Sequence, residues 1–230
     1  MKTLAIYDVD DTIVMVDINI GVKNAAGEIV ERIPAAEYYE RADAGELTAD
    51  QCCFAEYDCA DTFLNTGYFN PVVTQQLKDH LRDPLTDVYF ITGRRLPTCV
   101  DTYIKKFHDE GIDVVRDQII FAAENASGEE RTHVHLMKRP HYERLVRNYD
   151  RVIGFEDSRR NLAALYWTAV DFDAAFEGHL VLNDGATRQF TSNDIAEVSA
   201  QLALESAEYG LRCASRSNPP LRSRLHGNTK

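Results

Sequence analysis

Three short stretches of this sequence place reactive groups directly behind an apolar run. Asp8-Val9-Asp10-Asp11-Thr12 follows Thr3–Tyr7, Thr92-Gly93-Arg94 follows Asp87–Ile91, and Glu156-Asp157-Ser158 follows Arg151–Phe155. Short β-compatible apolar runs of this kind read as buried strands. In an open parallel sheet, ligands bind beyond the carboxyl ends of the strands. The three stretches are therefore expected to gather carboxylates, a hydroxyl and an arginine at one edge. Carboxylates brought together repel one another unless a cation is present. Oxygen donors alone favour a hard ion, and Mg2+ beside phosphate is the common case. Each piece also has a plain structural use, since Asp10 or Asp11 could cap a turn and Asp157-Ser158 could cap a helix starting at Arg159. Joint placement at three strand ends is what points to a site.

The remaining chain must hold those ends in register. Asp17–Ile33 reads as a hairpin, with Ile18, Ile20 and Val22 alternating on one arm, Ile29, Glu31 and Ile33 on the other, and Asn24–Gly27 as the turn. Ala35–Leu64 reads as short helices covering one end of the core. Asn70-Pro71 opens a helix as N-cap and first residue, with Val73, Leu77 and Leu81 as its apolar stripe. Pro97 starts another, in which Val100, Tyr103, Ile104 and Phe107 recur at helical spacing until Gly111. Ile119–Phe121 is a short strand, and Pro140 begins a helix that buries Leu145 and Val146. Arg159–Trp167 is helical, His179–Leu182 strand-like, and Ile195, Val198 and Leu202 mark a closing amphipathic helix. Strands alternating with helices indicate an α/β fold with a Rossmann-like parallel sheet. We expect one domain over residues 1–210, a small cap or flap inserted at about 14–68, and a basic, flexible tail over 211–230.

Bulk properties narrow the function classes. A formal net charge of −12 argues against a general polyanion binder, because phosphate backbones are held mainly by Lys and Arg. No apolar run approaches the ~20 residues that span a bilayer, and acids interrupt the early apolar stretch that a secretory signal would need. Five cysteines, an odd count without framework spacing, suggest reduced thiols in a cytoplasmic protein. Cys52, Cys53 and Cys59 lack the second pair that a zinc site requires. Nothing calls for an obligate protein partner.

Asp8-Val9-Asp10-Asp11-Thr12 resembles the first motif of the haloacid dehalogenase-like superfamily, Asp-x-Asp-x-Thr. Thr92 matches its second motif, Lys138 stands where the third-motif lysine belongs, and Glu156-Asp157 matches the paired-acid form of the fourth. The likeness covers about residues 1 to 170 in order. Asn70-Pro71-Val72-Val73, Ile91-Thr92-Gly93-Arg94, the stretch from Thr132 to Lys138, and Phe155-Glu156-Asp157-Ser158 look like the branch of polynucleotide kinase 3′-phosphatase domains and RNA-repair proteins. Asp11 replaces the glycine common in the first motif. Ser158 replaces the arginine of the repair branch, giving a Phe-Glu-Asp-Ser string also similar to sugar-phosphate members.

The resemblance implies a phosphatase fold of that superfamily and a Mg2+-dependent reaction. Asp8 would attack phosphorus, and Asp10 would protonate the leaving oxygen and later deprotonate water. The Asp8 carboxylate, the Asp10 backbone carbonyl and Asp157 would surround the ion, with Glu156 behind them fixing waters or Lys138. Thr92 and Lys138 would stabilise the phosphoryl charge, while Thr12, Gly93, Arg94 and Arg159 would contact substrate. Lys105 and Lys106, rivals to Lys138, belong to an amphipathic helix where solvated charge is the default. His133 and His135 would share one face of an extended stretch, with His141 nearby.

Arg94, Arg95, Arg139, Arg159 and Arg160 would together give the site a positive rim, suited to a nucleotide or nucleic-acid terminal phosphate. A phosphorylated small metabolite such as a sugar phosphate is the alternative substrate. A silent binding module is the alternative class, disfavoured because a scaffold has no need of both Asp8 and Asp10.

Overall fold

The computed structural model describes residues 1–43, 46–94, 100–123 and 133–199. Arg95, the Pro97 helix start, Cys99, Thr132, Leu202 and the basic tail lie outside the described residues. Along the chain, β1 (Thr3–Tyr7) leads into an excursion built from β2 (Val14–Met15), β3 (Asn19–Lys23), β4 (Ile29–Pro34), α1 (Ala35–Asp43), β5 (Cys52–Cys53), α2 (Ala60–Thr66) and β6 (Tyr68–Phe69). Then follow α3 (Pro71–Arg82), β7 (Thr86–Thr92), α4 (Val100–Asp109), β8 (Ile119–Phe121), α5 (Val134–Val146), β9 (Arg151–Glu156), α6 (Arg159–Asp171), β10 (Ala175–Val181) and β11 (Thr187–Gln189). A last helical stretch covers 192–199.

The main sheet has the order β11-β10-β9-β1-β7-β8. Its pairings are parallel except for the antiparallel edge strand β11. This is a mixed α/β fold with a mostly parallel central sheet, of Rossmann-like type. Every residue of β1 is buried, and its alternation sets the layers. Ala5 and Tyr7 join Val88 and Phe90 of β7 on one face, under Val73 and Leu77 of α3 and Tyr103 and Phe107 of α4. Leu4 and Ile6 join Ile91 and Val152 on the other, under Tyr142 and Leu145 of α5 and Ala164 and Leu165 of α6. Burying one such Phe or Leu contributes roughly 1.5–3 kcal/mol. Gly154 lets α6 approach, since a Cβ there would meet Leu165 Cδ2 at 2.8 Å. Strand order reverses around β1, where Tyr7 lies level with Phe90 on one side and Phe155 on the other. The ends of β1, β7 and β9 are thus brought to one line, the place where open sheets of this kind bind ligands.

The excursion is pinned at its base by a two-stranded ribbon in which Val14 faces Phe69 and Met15 faces Tyr68. Beyond it, β4, β3 and β5 form a separate sheet with its own core of Ile20, Val22, Ile33, Tyr38, Leu47 and Cys52. The turn between β3 and β4 is closed by Asn24, whose side-chain oxygen accepts from the Ala26 and Glu28 amides. The expected cap on α3 is present: the Asn70 side chain accepts from Val72 N at 3.0 Å, ahead of Pro71 at the helix start.

Several expectations need correction. The helix assigned to begin at Pro140 begins at Val134, with Pro140 inside it. A proline there removes one backbone donor, but the helix is held by buried His135, Lys138, Tyr142, Leu145 and Val146. Tertiary packing overrides the local signal. His133 stands at the N-cap position of that helix, without a side-chain capping bond, and His135 lies within it, so the pair does not share an extended face. Lys106 is buried, not solvated, because its ammonium donates to the Leu64 and Gly67 carbonyls at 3.0 and 2.6 Å at the end of α2. Ile29 is exposed rather than on the packed face of the hairpin. The helix after Glu156 runs on past Trp167 to Asp171, and the strand read at 179–182 starts earlier, at Ala175. Among the described residues no helix is long and apolar enough to cross a membrane.

Candidate functional site

Asp8 continues the ladder of β1, its amide donating to the Phe155 carbonyl at 2.9 Å, so its side chain leaves the sheet beside the end of β9. The chain then turns sharply: the Ile13 and Val14 amides return to the Val9 carbonyl. Asp11 takes a left-handed φ of 55°, the region that glycine enters freely and that Asp tolerates better than most residues. Its carboxylate accepts from the Val16 amide at 3.2 Å.

Lys138 comes from the opposite direction, on α5, and is 1% exposed. Its ammonium donates to Asp8 Oδ1 at 2.6 Å and to Glu156 Oε1. Burial opposes its charge, but Asp8 and Glu156 outweigh that and hold its pKa well above the usual lysine range. Glu156 also accepts from the Asn161 side-chain amide at 3.0 Å and from the Ser158 amide at 3.4 Å. Asn161 carried no motif; it stands on the first turn of α6, just after the end of β9.

Carboxylate oxygens of Asp8, Glu156 and Asp157 all lie within 4.8 Å of one another, a group that could hold a metal ion. Burial first, then neighbouring acids, pushes Asp8 and Asp157 well above the ordinary carboxylate range. Asp11 is pushed up to about 6, by burial and then by Asp10. Crowded, buried acids raise one another's pKa in this way, and Lys138 is the ammonium among them.

Asp10 stands apart from that group. Its carboxylate is gripped by Arg94, with Nη2 at 2.6 Å from Oδ1 and Nε at 2.9 Å from both oxygens. Thr92 Oγ1 donates to Asp10 Oδ2 at 3.1 Å and accepts from the Arg94 amide at 3.2 Å. The Tyr103 hydroxyl reaches the same Oδ2 at 3.4 Å. Arg94 is 0% exposed. Burial works against its charge, yet the Asp10 carboxylate holds its pKa above the normal arginine value.

No protein-family model and no curated protein sequence matches this chain. Among solved structures it is similar to the Legionella pneumophila effector Ceg4, at 14% identity and a TM-score of 0.40 over 78% of this chain and 85% of that one. A likeness of that degree transfers no activity.

The other candidate residues distribute unevenly. Thr12 is fully buried, and among the described residues its hydroxyl has no hydrogen-bond partner. Gly93 lies against α5, where a Cβ would meet Val134 Cγ1 at 3.2 Å. Of the expected positive rim, Arg94 is corrected to a buried position, while Arg139 and Arg159 stay exposed beside acidic partners. Arg94 is buried on Asp10. Arg139 pairs with Glu143 at 2.9 Å and lies 3.7 Å from Asp171. Arg159 pairs with Glu197 at 2.9 Å and lies 3.7 Å from Asp194. Each has found an acid within the protein, a pairing invisible to a reading that sees only which residues follow the strand ends. The Asp10 carboxylate, which is not the group expected to face the ion, has Arg94 as its countercharge.

Proposed function

We propose that this chain is a phosphomonoester hydrolase of the haloacid dehalogenase type, working with Mg2+ through an aspartyl phosphate on Asp8. The observation that carries the reading is the grouping of buried Asp8, Lys138 and Glu156 with half-buried Asp157 at the carboxyl edge of the sheet. A hard ion fits these residues: the donors are all oxygens, and the acids outnumber the ammonium among them. Mg2+, when bound by Asp8 and Asp157, offsets repulsion between the anionic nucleophile and the anionic phosphate.

The chain's own groups supply the rest. Lys138 opposes the effect of burial on Asp8 and neutralises charge on the phosphoryl oxygens, Glu156 holds that ammonium in place, and Asn161 holds Glu156. An Asp8 oxygen bonds to phosphorus as the ester oxygen leaves, and the leaving oxygen takes a proton from Asp10. Water then attacks phosphorus, gives its proton to Asp10, and the acyl phosphate breaks to release Asp8 and inorganic phosphate. For this role the Asp10 carboxylate has to exchange its present partners for the reacting oxygens.

The resemblance to repair phosphatases favours a nucleotide or nucleic-acid end as substrate. The arginine pairings favour a second reading, a small phosphorylated metabolite, because Arg94, Arg139 and Arg159 are already engaged with acids. The test is a Mg2+-dependent phosphatase screen over nucleotides, sugar phosphates and 3′- or 5′-phosphorylated oligonucleotides, with Asp8→Asn as control. Turnover of at least one class, lost in the control, supports the reading. No turnover of any class, or turnover that survives in Asp8→Asn, sinks it.

A further inference from the structure

We infer that Arg94 is a positioning residue that holds Asp10 in a withdrawn state, and that the insertion between β2 and β6 sets how firmly it does so. The inference rests on the proposed roles of Asp8 and Asp10. Both Asp10 oxygens are occupied: Oδ1 by two Arg94 nitrogens, and Oδ2 by Arg94, Thr92 and Tyr103. A carboxylate so engaged has no oxygen to offer a leaving group. It is also absent from the group formed by Asp8, Glu156 and Asp157. Catalysis through Asp10 therefore requires a second arrangement in which the Arg94 fork lets go.

What keeps the fork in place is not on the sheet. Arg94 Nη1 donates to the backbone carbonyl of Tyr57, in the loop between β5 and α2. The guanidinium carbon lies 4.5 Å from the centre of the Tyr57 ring and 5.0 Å from that of Phe63 on α2. Tyr57 and Phe63 both belong to the insertion, and both rings lie against a side chain of 0% exposure. A guanidinium with rings against it and screened from water binds its carboxylate more tightly than a hydrated one. Displacing the loop removes a hydrogen-bond acceptor and a ring together, wets the ion pair, and frees Asp10 to turn. Substrate that binds the displaced state better shifts the population towards it.

Leaving-group dependence reads this directly. Expulsion of an alkoxide needs the Asp10 proton, whereas expulsion of p-nitrophenolate does not. The value of kcat/KM covers the steps up to the first departure, so its ratio for glycerol phosphate over p-nitrophenyl phosphate reports delivery of Asp10. Tyr57→Leu keeps the backbone carbonyl and loses the ring; Arg94→Lys keeps the charge and loses the fork. Each is expected to raise that ratio by about threefold or more, because the first removes a cation–π interaction and the second a bidentate one. If Arg94 is merely structural, both esters slow together and the ratio stays put in both variants. A falling ratio would show that Arg94 holds Asp10 in its productive place; either result overturns the inference while leaving the phosphatase reading intact. Wild-type protein inactive on both esters overturns the two together.

Discussion

Asp8 is surrounded as a nucleophile would be, with an ammonium at 2.6 Å and acids beyond it. Asp8→Asn keeps the shape but loses both nucleophilicity and the charge on Lys138's partner. We expect at least a thousandfold loss of turnover with an unchanged circular dichroism spectrum; residual activity near wild type would remove the covalent route. Asp11 allows a test by pH. Its carboxyl, pushed up to about 6, lies above the unfolded value of roughly 4. A raised acid favours the fold fully below the unfolded value, and that benefit is lost as pH rises through about 6. Asn tolerates the same left-handed backbone and carries no charge. In urea melts of chelator-treated protein, Asp11→Asn should therefore be more stable at pH 7 by on the order of 1–2 kcal/mol, with the gap closing towards pH 4. An equal gap at both pH values would mean that the charge is not the cause. The acids themselves were legible in the sequence, because they stand directly behind apolar runs. The partners of Asp10 were not: Arg94 follows a strand end, as a rim residue would, and nothing local announces Tyr57 or Phe63 above it.

Elements were most readable where one period dominates. The alternation in β1 and the stripe of Val73 and Leu77 under the Asn70 cap are strong local signals, and the strands and helix form as read. Helix α5 was not readable from its proline, because the first turn is held by burial of His135 and Lys138 rather than by propensity. The same competition buries Lys106, whose ammonium terminates α2. Strand β9 offers a test of how closely its layers approach. At Gly154 an added Cβ would come within 2.8 Å of Leu165 and 3.2 Å of Leu162. Gly154→Ala should cost about 1–3 kcal/mol by overpacking. Because β9 ends in Glu156, the same change should weaken activity more than an equally destabilising change at the far edge of the sheet. Thermal melts and kinetics on matched variants decide it, and parallel losses in both would remove the link between packing and site.

At the scale of the whole molecule, a cation bound among the crowded acids would, on the proposed reading, relieve their mutual repulsion and stabilise the fold. Mg2+ at a hundred times its dissociation constant should add about 2.7 kcal/mol. Asp157→Asn removes one of the crowded acids, whose pKa burial and Glu156 hold high. It should melt at a higher temperature than wild type in chelator, yet gain less from Mg2+. Identical Mg2+ gains in the two proteins would exclude Asp157 from the ion's shell. The net charge of −12 works in the same sense outside the site, disfavouring long anionic ligands more than short ones at low salt. The ribbon joining β2 to β6 has a different kind of consequence. Because Val14 and Phe69 are hydrogen-bonded neighbours, the chain leaves and re-enters the sheet through a single doorway. What lies beyond that doorway can be lengthened, trimmed or swapped without altering the strand ends, so the cover over the acids can change while the acids themselves stay in place.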